Sequence, residues 1–509
     1  MSDSRTKNAT RNIVYGVIGR IVSLILPFTT RTIVLYLLGT SYLGIGTLFS
    51  SILGFLNLAE LGLGSAIAYS MYKPVAENNT EMVCAILLYF RRLHRVIGMV
   101  ILLVGLLMMP FLDNFIKGET PTNINIYILY SIYLLNSVLS YLWAGYKQSL
   151  FASHQRLDIS SKVFMIVNVF IHFTQILVLL LSKNFYIFAF VPIAGTLISN
   201  ITIAVLTKKM YPELYCTGEL SNGMKQGIRK NISGLIGTKL NSIVVHSADS
   251  IVISAFLGLK LTAQYGNYYF IINSLTGFIV VLFSSLTSSV GNKIALDSMD
   301  NNYQLFRKLS FINAWIVGWC SICLVCLYQP FMEMWVGREL MFDFGFAILM
   351  ALYFYMYQIQ KTILIYKDAA GLWYVDRFRP YFSMIINIVG NILLVQMIGI
   401  YGVALSSIIA FLISIPWINH VLFKNLFMLQ SWKNLLDTLK YFAITATTTA
   451  VTYAICLISV EGPLGLMQRM LICILVPNLV FWLCFRNSEE FRYSALLITR
   501  VFRRNRESK

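Results

Sequence analysis

Charge is scarce in this 509-residue chain, at 12% against 57% hydrophobic residues. A soluble domain carries about a quarter of its residues as Asp, Glu, Lys and Arg, so that class is excluded. Acid is scarcer still, with 22 Asp and Glu against 40 Lys and Arg. No Asp-x-Asp occurs in the gaps on the Lys- and Arg-rich side, and the gaps on the opposite side are very short. Both absences argue against a membrane-embedded polymerase, ligase or glycosyltransferase, which needs a sizeable polar loop to carry catalytic groups. No signal peptide is expected before the first apolar run, which is too long for one. The eight cysteines include Cys320, Cys323 and Cys326 in a Cys-x2-Cys-x2-Cys run. No His or carboxylate lies near them in sequence, so they are read as small buried apolar side chains, with no metal site expected.

What is present is a succession of long apolar runs, such as 96–109, 163–182 and 441–459. At about 20 residues per crossing the chain accommodates roughly fourteen spans. Their expected bounds are 12–38, 42–70, 96–115, 125–146, 163–182, 185–207, 232–258, 264–292, 310–332, 343–366, 380–398, 401–422, 440–459 and 468–485. The expected class is an all-α polytopic membrane protein. Lysine and arginine fall in every second gap, from Arg5, Lys7 and Arg11 through Arg91, Arg92 and Arg95 to the tail Arg500–Lys509. The alternate gaps hold little beyond Lys117, Lys183, Lys260, Arg338 and Arg469. The rich side is therefore cytoplasmic, and both termini lie on it. The formal net charge of +18 is then a topology signal that also favours anionic lipid. Spread over many loops, it is no nucleic-acid footprint.

The chain also repeats itself. A shift of 218 residues lays Gly16, Ile18, Gly19, Ile25, Ile33 and Val34 on Gly234, Ile236, Gly237, Ile243, Ile251 and Val252; after one inserted residue, Gly39 falls on Gly258. The first and seventh spans are thus counterparts. Six spans separate their starts, and an even number keeps both copies in one orientation, as in a parallel repeat. The expected organisation is a first six-span lobe (1–207), a cytoplasmic linker (208–231), a second six-span lobe (232–422), a final span pair with a preceding interfacial helix (423–485), and a basic tail (486–509). A central cavity is expected between the lobes.

Ionisable residues inside spans are costly and mark pathways. Here they are Arg20, Arg31, Glu60, Lys239, His246, Asp249 and Lys361. Arg20 and Arg31 are three turns apart on one face, with Pro27 between them as an expected kink. Lys239, Ser242, His246 and Asp249 form one stripe on the seventh span. Basic groups outnumber acidic ones, so the expected ligand is an anion. The guanidinium fork suits phosphate. Arg31, Arg20 and Lys239 are the expected head-group contacts; His246, Asp249 and Glu60 are coupling or charge partners. Lys361, near the inner end of its span, is expected to snorkel. Tyr265, Asn267, Tyr268 and Asn273 on the eighth span are expected sugar contacts. No cofactor is expected.

These residues also carry a resemblance. Thr30–Gly39 followed by Tyr42–Gly46, the segments 59–64, 248–254 and 264–268, and Lys367–Trp373 with Asp376–Pro380 resemble the bacterial polysaccharide-repeat-unit flippases, the Wzx-type transporters of O-antigen and capsule assembly. The likeness runs over essentially the whole chain. It implies the fold of the multidrug/oligosaccharidyl-lipid/polysaccharide exporters, alternating access, and an undecaprenyl-diphosphate-linked oligosaccharide as cargo, moved outward across the bacterial inner membrane. The resemblance carries the first-helix arginine of the family onto Arg31, with Arg20 as the second candidate. The resemblance further implies a monomer working beside polysaccharide polymerase and chain-length machinery. A drug or organic-cation antiporter of the same fold would be expected to carry an acidic cavity instead.

Overall fold

The computed structural model describes residues 2–57, 63–118, 120–143, 145–213 and 218–496. Among them 87% are helical and none is in a strand. In hydrocarbon every backbone N–H and C=O must be satisfied within the protein, and helices do this within one segment. Among the described residues nine helices are long and apolar enough to cross a membrane, with a bent pair making a tenth. The chain is a multi-pass membrane protein with about fourteen spanning elements.

The first compact unit comprises residues 1–267. Its helices are α1 (Ser2–Leu37), α2 (Thr40–Leu56), α3 (Leu63–Ala76), α4 (Thr80–Met108), α5 (Ile126–Leu142), α6 (Gln148–Ser153), α7 (Leu157–Ser182), α8 (Phe185–Met210) and α9 (Asn222–Leu257), followed by the start of α10 (Leu259–Leu296). Asn125 and Asn184 accept hydrogen bonds from the first free N–H groups of α5 and α8, fixing where these helices begin. Large apolar side chains such as Leu103, Leu107, Phe173 and Leu181 remain exposed, as a lipid-facing surface requires. The fourth expected span, 125–146, ends as α5 at Leu142, and the helical segment Gly145–Ser153 that follows is inclined to it by 48°.

The expected counterparts, α1 and α9, are each 36 residues long. Each ends at a glycine with the same backbone, φ 98° and ψ 179° at Gly39, φ 93° and ψ 173° at Gly258. Only glycine adopts that region readily. The first and seventh spans therefore turn into their successors by one corner. α1 continues as one helix through Pro27. Thr29, Thr30 and Thr32 donate back to the carbonyls of Ile25, Leu26 and Phe28 along this stretch.

Helix α9 packs on α2 and α3. A Cβ at Gly54 would lie 3.1 Å from the Ser247 hydroxyl, and one at Gly44 only 2.3 Å from the Leu259 carbonyl oxygen. Glycine at 44 is what lets α2 approach the α9–α10 corner. The backbone N–H of Lys117 donates to the Ser254 carbonyl at 3.0 Å, satisfying one of the end carbonyls of α9. The segment 222–231, expected within a separate interfacial linker, forms instead the first turns of α9. Helix α9 thus falls within the first compact unit, residues 1–267, whereas the repeat pattern places it at the head of the second lobe.

The second unit comprises residues 268–509. After the rest of α10 come α11 (Met299–Val336), α12 (Phe344–Ile359), α13 (Lys361–Ala369), α14 (Arg379–Ile398), α15 (Ile400–Leu422), α16 (Trp432–Cys456) and α17 (Gly462–Phe485). The interfacial helix expected before the final pair is likewise absorbed, as residues 432–440 open α16. The tenth span divides at Gln360, between α12 and α13. Buried Asn313 of α11 donates to the carbonyls of Gln358 and Ile359 at 3.0 and 3.1 Å, supplying partners at the break. Helices α14 and α15 pair through Asn387 to Ser407 at 2.8 Å, and through Ser406 to Asn391.

Where α14 begins, opposite α15, lies a buried ion network built from Lys367–Trp373 and Asp376–Pro380. Arg379 grips both Asp376 oxygens, from Nε at 2.7 and 3.0 Å and from Nη2 at 2.7 Å. Arg379 Nη1 reaches Ser414 at 2.8 Å. Lys367, fully buried, sits 3.3 Å from Asp376 and 3.0 Å from Asp368. Removing one partner of a buried network leaves uncompensated charge and costs about 3–5 kcal/mol. Asp376→Asn should therefore lower the denaturation midpoint of the purified protein markedly. Glu77→Gln, which breaks only the exposed pair with Lys73, should leave the midpoint within about 1 kcal/mol of the parent.

Candidate functional site

Arg31 stands six residues before the end of α1, about 9 Å along the helix axis at 1.5 Å per residue. It is half-buried. Its Nε donates to Asn267 Oδ1 at 2.6 Å and its Nη2 to the Ala263 carbonyl at 3.2 Å. Both acceptors sit on the first turns of α10, which the Gly258 corner and the Gly44 contact hold against α2. Gly266 faces the same guanidinium, since a Cβ there would lie 2.6 Å from Nη2. The positions 263, 266 and 267 follow helical spacing and form one cradle.

The partners of Arg31 are neutral oxygens. No carboxylate pairs with it among the described residues, in contrast to Arg156, held by Asp158 at 2.9 Å, and Arg379, held by Asp376 at 2.7 Å. The hydrogen bonds orient the guanidinium without cancelling its charge. Its Nη1 makes no hydrogen bond among the described residues. A guanidinium held along one edge keeps further N–H groups of the kind that bind carboxylate and phosphate oxygens.

One residue before Arg31, Thr30 is 4% exposed, and its hydroxyl lies 3.0 Å from His172 Nδ1 on α7. His172 was not anticipated as a site residue. A lone histidine in the apolar run 163–182 was the available signal, and its meaning depends on the α1–α7 packing that sequence periodicity does not report. Asp249 is 1% exposed, and its Oδ2 accepts from the Tyr265 hydroxyl at 2.7 Å. Its expected neighbour His246 and the expected contact Lys239 lie on α9, but their side chains are outside the described residues, as is Glu60 altogether. Arg20 and Lys361 are both half-buried.

The four expected sugar contacts divide. Tyr265 is buried on Asp249. Tyr268 is fully buried in the second unit, where it donates to Gln329 at 3.1 Å and accepts from the Phe342 N–H at 3.2 Å. Asn267 is committed to Arg31. Asn273 is the exposed member of the set.

No family model and no curated protein matches the sequence. Solved structures do. A lipid II flippase, MurJ, in an inward closed conformation superposes with a TM-score of 0.67 at 16% identity, covering 93% of this chain and 99% of that one. A MATE transporter from Vibrio cholerae, VcmN, gives 0.57 at 13% identity, covering 84% and 99%. A multidrug/oligosaccharidyl-lipid/polysaccharide exporter superfamily member from Pyrococcus furiosus, described as having a binding pocket of reverse polarity, gives 0.51 at 13%, covering 82% and 96%. At such identities the likeness is one of fold, and the fold this chain shares is that of membrane transporters and flippases.

Proposed function

We propose that this chain is a flippase of the bacterial cytoplasmic membrane that moves undecaprenyl-diphosphate-linked oligosaccharide repeat units from the inner to the outer leaflet, for O-antigen, capsule or exopolysaccharide assembly. The observation that carries the proposal is the uncompensated charge of Arg31. A half-buried cation held only by neutral oxygens is set for an anionic ligand, and a diphosphate offers oxygens at the spacing a guanidinium fork binds. An organic-cation cargo would meet repulsion there. The fold likeness to a lipid II flippase supports a lipid-linked cargo, since the fold can carry such a substrate. The six-span lobes 1–207 and 232–422 would alternate access to the site, with Arg20 and Lys239 extending the basic path along α1 and α9. His246 and Asp249 would couple the cycle to protons, with Glu60 as a further charge partner. Asn273 would meet the sugars.

The decisive experiment is complementation of a strain lacking the protein, reading surface polysaccharide and accumulated lipid-linked repeat unit together. Arg31→Ala should abolish surface polysaccharide at normal protein level, and Arg31→Lys should restore it only in part, because a point charge lacks the fork. Gly266→Ala should fall between them, as the added methyl pushes the flexible guanidinium aside without touching its charge. Full activity of Arg31→Ala would remove the residue from the site.

Membrane voltage gives a second test. Moving one charge through the membrane is worth about 2.3 kcal/mol per 100 mV, so a diphosphate with roughly two negative charges gains about 4.6 kcal/mol on leaving an inside-negative compartment. The empty basic site is drawn back inward by the same field. Both half-cycles run downhill provided the site charge does not fully cancel that of the cargo. Outward flipping in proteoliposomes should accelerate at inside-negative potential, and Arg20→Ala or Lys239→Ala should weaken that dependence. Rates insensitive to voltage, with cargo binding intact, would show that this charge movement does not limit the cycle.

A further inference from the structure

The second unit contains a cluster of thiols that lipid-linked transport does not use. Cys326 on α11, Cys456 at the end of α16 and Cys473 on α17 bring their Sγ atoms within 4.8 Å of one another. Each is 1% exposed. Cys323, one turn before Cys326, packs against the group with its thiol in hydrogen-bonding reach of Cys473. The remaining wall is apolar, from Ile322, Leu327, Tyr453 and Ile472. The Trp319 indole donates to the Cys473 carbonyl at 2.8 Å and fixes α17 on α11 at this height.

The donor set decides the ligand. Hard cations need oxygen, and none of the converging side-chain donors is an oxygen or a nitrogen. Convergent sulfurs select soft, thiophilic ions. Zinc prefers four tetrahedral ligands in a structural site, whereas three sulfurs here are mutually close and Cys323 stands beside only part of the group. A low-charge ion also suits an apolar wall. Arg469 lies one turn before Cys473 on α17, held by the Ser459 hydroxyl at 2.6 Å, and offsets part of the negative charge of bound thiolates. We propose that Cys326, Cys456 and Cys473 form a three-coordinate site for Cu(I) that clamps α16 and α17 onto α11. Each Cu–S bond made by a deprotonating thiol releases its proton to solvent. Copper enters and remains Cu(I), so no electron is transferred. Cys456, the last residue of α16, borders the 457–461 loop, where Leu457 and Ile458 are exposed, and this gives the ion its way in.

The test is an anaerobic titration of the full-length protein in nanodiscs with Cu(I), against a chromophoric Cu(I) chelator. Wild-type protein should retain one equivalent. Cys456→Ser and Cys473→Ser should weaken retention by more than the about 10–100-fold that loss of an outer-shell partner costs, and Cys484→Ser, on the exposed side of α17, should not change it. Copper X-ray absorption of the wild-type protein should show a first shell of sulfur alone, a readout that holds even if a serine variant folds poorly. Equal retention by the triple serine variant, nitrogen or oxygen in the first shell, or retention of Zn(II) but not Cu(I) would overturn the assignment.

Discussion

The guanidinium of Arg31 is held by an amide oxygen and a backbone carbonyl, and the functional account depends on that choice of partners. A carboxylate in the place of Asn267 would have oriented the side chain equally well, but it would have neutralised it. The protein makes that other choice elsewhere: Arg156, Arg379 and Lys367 are all matched with aspartates. Those pairs fix loops and helix ends. Arg31 is left with its charge available, at a depth in an apolar helix where an unpaired cation is costly unless a ligand repays it.

The cradle around Arg31 is itself a product of backbone geometry. Gly258 turns α9 into α10 with a conformation that only glycine adopts readily, as Gly39 turns α1 into α2. Gly44 then lets α2 come against Leu259, which positions the next turn, 263–267, over Arg31. Three glycines, at 44, 258 and 266, thus set the position of one guanidinium. Each removes a Cβ that would otherwise intrude, at 2.3 Å from Leu259 O, 2.8 Å from Lys117 O and 2.6 Å from Arg31 Nη2 respectively.

Hydropathy made the all-helical class and about fourteen crossings legible, because the bilayer constrains composition run by run. Arg31 stood out in the sequence for the same reason, as an ionisable residue that the lipid would otherwise reject. Its partners were not. Ala263 and Gly266 carry no chemical signal, and Asn267 was read as a sugar contact because periodicity gives a face and not what lies opposite. Tyr268 illustrates the same limit: an aromatic on a polar stripe, it is spent on Gln329 and Phe342 inside the second unit. The break at Gln360 was not legible, since the polar residues Gln358, Gln360 and Lys361 sit between apolar stretches that together are long enough for one continuous span, 343–366. The thiol cluster was invisible for a further reason. The local Cys-x2-Cys-x2-Cys run drew notice to Cys320, whereas the fold completes the set with Cys456 and Cys473, more than a hundred residues away.

The sign of the ligand is the central claim, and equilibrium binding tests it most directly. Purified protein in nanodiscs should bind undecaprenyl diphosphate, with affinity that falls as salt rises and is lost in Arg31→Gln. A lipophilic organic cation should neither bind nor compete. Saturable binding of the cation, with undecaprenyl diphosphate retained no better by the wild-type protein than by Arg31→Gln, would contradict the account.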